Sequence, residues 1–60
     1  MGIHIDNYQK VTLMGEAKTL FDVFEEWADG YHYVGTFSVD GHDTTRDACA
    51  AVYWEQIGGA

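Results

Sequence analysis

The chain has no proline, a single cysteine and only three basic side chains, Lys10, Lys18 and Arg46, among 60 residues. Each shortage excludes something. With Cys49 alone, no intramolecular disulfide can form, and tiny secreted domains usually carry several. No basic segment followed by an apolar run opens the chain, and no apolar stretch approaches the ~20 residues needed to span a bilayer. A cytoplasmic protein is therefore expected. Cys49 lies among alanines, a setting for a small buried side chain rather than a reactive thiol. Three cations are too few to grip a phosphate backbone, so direct nucleic-acid binding is not expected. Without proline, glycine-containing turns supply the punctuation.

Acid and aromatic residues are abundant. Ten Asp and Glu give a formal net charge of −7. That density repels nucleic acid and anionic membranes and attracts basic surfaces, although net charge also serves plain solubility. Sixty residues make one domain, 1–60, whose core is thin, because a chain this short buries only about 60% of its unfolded surface. Two Trp, four Tyr and three Phe compensate, since each large ring buries roughly 150–250 Å².

Along the chain, Ile3 and Ile5 alternate with His4 and Asp6, which predicts a short strand over 2–6, followed by an Asp6-Asn7 turn. Residues 9–16 form a second strand candidate. Over 19–29, Leu20, Val23, Phe24, Trp27 and Ala28 recur at helical spacing. Thr19 is available as N-cap and Gly30 as C-cap, so a helix is predicted there. Residues 31–39 alternate as a strand. Tyr31, Tyr33, Phe37 and Val39 share one face with Gly35 between them, and Asp40-Gly41 makes the following turn. On that alternation Tyr31 and Tyr33 are expected in the core. Residues 44–57 predict a second helix capped by Thr44 or Thr45, with 52–57 open to either helix or strand. The architecture that follows is α+β: a two- or three-stranded, mainly antiparallel sheet with one or two helices packed on one face.

On a helix over 19–29, Asp22, Glu25, Glu26 and Asp29 fall at i, i+3, i+4 and i+7 and share the outer face. Like charges at that spacing, two of them near the negative end of the helix dipole, are locally unfavourable. Local rules broken without compensation tend to mark functional sites. Arginine pairs with carboxylate and with phosphate in the same forked geometry, so such a row can meet the cations that otherwise hold nucleic acid. Asp40, Asp43 and Asp47 extend this candidate partner-binding surface if the 40–43 turn lies beside the helix. The plain alternative is a solvated acidic face.

In size, acidic balance, Met1 start and the Asp22, Glu25, Glu26, Asp29 row, the chain resembles phage-encoded inhibitors of bacterial defence, the anti-CRISPR and DNA-mimic antirestriction proteins. The resemblance covers the whole chain in style and rests on no diagnostic motif. It implies an inhibitor that binds a basic nucleic-acid-handling complex such as a type I CRISPR surveillance complex and blocks its DNA or RNA binding. A chain this short has little room for a catalytic pocket, so an enzyme is not expected, and since adjacent Tyr53 and Trp54 cannot both face inward on one helix stripe, a monomer or weak homodimer is. A different class also fits: a small antitoxin-like interaction module that binds through aromatic surface such as Tyr53 and Trp54.

Other chemistry finds less support. Asp40-Gly41-His42-Asp43 gathers two carboxylates and an imidazole but has neither calcium-loop nor zinc spacing, and ordinary turn chemistry explains it. Nothing pairs Cys49, Ser38 or a threonine with a histidine for nucleophilic catalysis. No Gly-rich phosphate loop is present. Neither cofactor nor metal is expected.

Overall fold

The computed structural model describes residues 2–42 and 44–58. Three strands, β1 (Ile3–Leu13), β2 (Glu16–Trp27) and β3 (Gly30–Asp40), precede one helix, α1 (Arg46–Gly58). The strands form an antiparallel meander in the order β1-β2-β3.

The tight connections explain the meander. Met14 and Gly15 link β1 to β2 with φ of 51° and 81°, and two consecutive positive φ values define the type I′ turn, whose twist matches that of paired strands. Ala28 and Asp29 link β2 to β3, with Gly30 following at φ 127°.

The helix predicted over 19–29 does not form, because that segment is the central strand β2. Its residues satisfy both periods, but Thr19, Phe21 and Val23 are the buried set, and β-branched and aromatic side chains favour a pleated, half-buried surface. The helical stripe left Phe21 out, yet Phe21 and Val23 are 0% exposed. The two N-terminal strand candidates are also one strand. The predicted Asp6-Asn7 turn is instead an irregularity in β1, where the register shifts between Asp6 and Gln9 and Asn7 adopts φ 56°.

Helix α1 runs through residues 52–57 and settles their state. Thr45 is its cap: its Oγ1 accepts from the Ala48 N–H at 3.2 Å, and its carbonyl accepts from Cys49 N–H at 3.1 Å. Cys49 and Tyr53, four residues apart, share one side of the helix. They join Ile5, Phe21 and Val23 in the buried cluster, with Ile3, Phe37, Val39, Ala50 and Val52 packed around it. Phe37 stacks on Phe21 at 6.1 Å and meets the edge of Tyr53 at 5.2 Å. Burial raises the pKa of the Cys49 thiol and the Tyr53 phenol. Thr19, the buried polar residue, donates its hydroxyl to the Gly41 carbonyl at 2.6 Å.

Tyr31 and Tyr33 are not in this core. The register shifts again opposite Val23 and Phe24, so Gly35 pairs with Val23 but Tyr33 with Phe24. One extra residue in β3 reverses the facing of everything before it. Phe37 and Val39 keep the buried side, while Tyr31 and Tyr33 are 59% and 60% exposed on the other.

No described helix is long and apolar enough to cross a membrane.

Candidate functional site

In a strand, carboxylates at i, i+3, i+4 and i+7 cannot share a face, because neighbours alternate. The predicted row is therefore broken up. Asp22 and Glu26 project to the face opposite the buried cluster. Glu25 projects to the buried side, where its Oε1 accepts from Trp27 Nε1 at 3.1 Å. Asp29 lies in the β2–β3 turn, with its Oδ1 2.8 Å from His32 Nε2. Asp40 is engaged by Lys18 at 2.6 Å. Asp47 is exposed in the first turn of α1, with Arg46 4.0 Å away. Asp43 lies outside the described residues.

A different constellation takes the row's place. Cross-strand partners occupy the same face, so the register builds that face in successive rows. Glu26 stands beside Tyr31, Phe24 lies between His4 and Tyr33, and Asp22 lies between Asp6 and Thr36. The rings touch. His4 is 5.1 Å from Tyr31 and 6.0 Å from Phe24, and Phe24 is 5.6 Å from Tyr33, edge-on. An aromatic patch is thus bordered by Glu26 on one side and by Asp6 and Asp22 on the other.

Asp22 is the centre of a hydrogen-bond network. Asn7 Nδ2 donates to its Oδ2 at 2.8 Å, and Thr36 Oγ1 donates to its Oδ1 at 2.6 Å. Since the Thr36 hydroxyl has one hydrogen and directs it at Asp22, the Tyr33 hydroxyl, 2.7 Å away, donates to Thr36. The bond from Thr36, and after it the one from Asn7, holds the Asp22 carboxyl below its ordinary pKa. Both donors are neutral, so they stabilise the anion without cancelling its charge. No described Lys or Arg lies within ion-pair reach of Asp22, Asp6 or Glu26. Asp6 accepts from the Asn7 N–H at 2.8 Å and has His4 Nε2 3.6 Å from its other oxygen.

Asp6 and Asp22 are direct cross-strand partners, a like-charge arrangement that costs stability. The same face neutralises its other end, where Lys18 binds Asp40. The Asn7 irregularity is what aims an amide at Asp22. Glycine is the usual residue at positive φ, but asparagine tolerates it and can also donate a hydrogen bond.

Exposed ring faces beside ionised carboxylates suit a flat cation. A guanidinium stacks on aromatic rings and takes carboxylate oxygens in its fork, which an ammonium does less well. No group of three or more described His, Cys, Asp and Glu side chains converges as a metal site. In the Asp40–Asp43 segment, His42 instead donates its Nε2–H to the Val11 carbonyl at 2.9 Å. His4, Asp6, Asn7 and Thr36 were not singled out from sequence, although the interrupted alternation at Asp6-Asn7 was a visible sign of them.

Compared with known proteins, the chain matches no family model, and no curated protein or solved structure shows significant similarity to it.

Proposed function

We propose that this chain is a non-enzymatic, cytoplasmic acidic binding protein whose target is an arginine-bearing basic surface, of the kind that nucleic-acid-handling complexes present to phosphates. In this reading α1 covers one face of the sheet only, and the opposite face, with His4, Phe24, Tyr31, Tyr33, Asp6, Asp22 and Glu26, is the contact surface. The observation that carries it is the Asp22 carboxylate, which neutral donors hold ionised within an exposed aromatic patch. Occupation of such a basic surface displaces DNA or RNA, which is the action of an anti-CRISPR-like inhibitor or DNA mimic. A type I CRISPR surveillance complex is a suitable first target.

The test has two parts. In an NMR titration, nona-arginine is expected to shift resonances of Asp22, Phe24, Tyr31 and Tyr33 before those of Asp47, and to bind more tightly than nona-lysine. With the surveillance complex, DNA competition should weaken as salt rises and be lost in Asp22→Lys plus Glu26→Lys. Retained competition in a folded double variant, or peptide shifts spread evenly over every carboxylate, removes this reading. Binding that ignores salt but requires Trp54, which is exposed on α1, supports the antitoxin-like alternative.

A further inference from the structure

The two edges of the sheet are finished differently. Along β1, Arg46 Nη2 donates to the Ile3 carbonyl at 3.0 Å, the register breaks at Asn7 and Tyr8, and Asp6 and Lys10 add charge. These are familiar ways of blunting an edge. Along β3 the irregularity before Gly35 is the one such feature, and from Gly35 to Val39 the strand pairs regularly and carries no charge. The Gly41 N–H donates to the Ala17 carbonyl at 2.8 Å. This places Thr19–Val39 and Phe21–Phe37 as hydrogen-bonded pairs and turns the N–H and C=O of Thr36, Ser38 and Asp40 outward. Among the described residues, no side chain or loop bonds to these outward groups. From Gly30 to Val39 the strand has no Asp, Glu, Lys or Arg, although the chain has ten acidic and three basic residues.

We infer that β3 pairs antiparallel with β3 of a second copy, continuing the sheet across a two-fold axis. Copies that each carry −7 repel wherever their carboxylates meet, and the β3 edge is the long surface where they do not. Stacking of the open faces is disfavoured on the same ground, because it would bring Asp6, Asp22 and Glu26 of one copy against the same anionic face of the other. An antiparallel pair also sends Asp40 toward the tyrosine-rich end of the partner strand and away from the other Asp40. Such a contact is isologous and closes at two subunits. Need for it is visible in the core: five apolar residues are buried, while Tyr31, Tyr33 and Val34 of β3 are exposed. Small domains with thin cores are commonly completed by oligomerisation. The pairing does not depend on the proposed function, but it would join the two open faces into one wider surface.

Sedimentation equilibrium and amide exchange test this together. The wild-type chain should sediment at twice its 6.7 kDa, with slow exchange at the Thr36, Ser38 and Asp40 amides. Ser38→Pro removes an outward donor at an edge position that tolerates proline, and it should give a folded single chain. Val34→Glu, which places like charges near the axis, should do the same and decides the matter if the proline variant fails to fold. Four results would overturn the inference: a single-chain mass for the wild type at millimolar concentration, fast exchange at the three amides within a dimer, a dimer that survives in a folded variant, or protection that arises only when another protein is added.

Discussion

Phe21 and Phe24 stand three residues apart in one strand and have opposite surroundings. Phe21 is sealed among Val23, Phe37 and α1, whereas Phe24 lies half-buried between His4 and Tyr33 with carboxylates on either side. The two faces of β2 differ in what they tolerate. The buried face holds apolar side chains, one satisfied threonine and, toward its end, Glu25 bonded to Trp27. The other accepts a like-charge pair, a positive-φ asparagine and exposed rings. Stability is concentrated on the first face, and features that cost stability are concentrated on the second, which is the distribution expected when one face folds the protein and the other binds.

The largest expected effect breaks this comparison outright if it fails. Phe21→Ala should cost about 3–5 kcal/mol. A chain of this length has roughly 3–9 kcal/mol of stability in all, so the variant should be largely unfolded by far-UV circular dichroism at 37 °C. Phe24→Ala should lose less, about 1–3 kcal/mol, the worth of an aromatic pair added to the partial burial of the ring, and remain folded while arginine-peptide binding is lost. Similar losses from both substitutions would mean that the faces are not distinct.

A smaller effect tests the irregularity in β1. Asn7→Ala should destabilise by about 1 kcal/mol, because alanine resists positive φ, and it should also release the Asp22 amide contact. Asn7→Gly should restore most of the stability and none of the contact. Urea denaturation of the two variants measures the first effect, and the Asp22 titration followed by NMR measures the second.

How far the fold was legible in the sequence follows from these same residues. Strand β3 and helix α1 were readable because Tyr31–Val39 alternates and Thr45 precedes an alanine-rich run. Residues 19–29 were not, because Leu20, Val23, Phe24, Trp27 and Ala28 fit a helical stripe as well as a strand. Only the partners of Phe21 decide between the two, and they come from β3 and α1. Phase was the second obstacle. Single-residue irregularities at Asn7 and before Gly35 reverse which side chains face inward, and while the broken alternation at Asp6-Asn7 hints at the first, no local pattern announces the second. The acidic character of the candidate site was therefore visible while its membership was not. Of the predicted carboxylates, Asp22 and Glu26 share the open face, while Glu25, Asp29, Asp40 and Asp47 stand elsewhere or are engaged.

Acid should release the hydrogen-bond network around Asp22. Its folded pKa lies below its ordinary value of 3.8. The stabilisation is therefore whole above that value and is lost as pH falls through the lower folded pKa. In Asp22→Asn that contribution is absent at every pH, and one of the two donors meets an amide N–H in place of an oxygen. Wild type and variant should differ most above pH 3.8 and converge in stronger acid. Thermal melts across this range read the convergence, and parallel curves would show that the network contributes nothing.

The smallest effect separates two carboxylates of the same face by what holds them. Lys18 and Asp40 bond at 2.6 Å, and that hydrogen bond raises the lysine pKa above its ordinary 10.5 and lowers the aspartate below its ordinary 3.8. For the lysine the gain is present below 10.5 and lost as pH rises through the folded value. For the aspartate it is present above 3.8 and lost as pH falls through the folded value. The pair therefore acts between those limits. It is exposed and screened by salt, so Lys18→Met should change the melting temperature little and not at all in high salt. The pair is a sharper test of the proposed binding than of stability. Asp40 already has its cation, whereas Asp22 has only neutral donors and keeps its charge available. Asp40→Asn should leave arginine-peptide affinity unchanged where Asp22→Asn reduces it severalfold, and Lys18→Met should increase it by freeing one more anion. Equal losses from Asp22→Asn and Asp40→Asn would show that total charge, rather than the aromatic patch around Asp22, governs attraction to a basic partner.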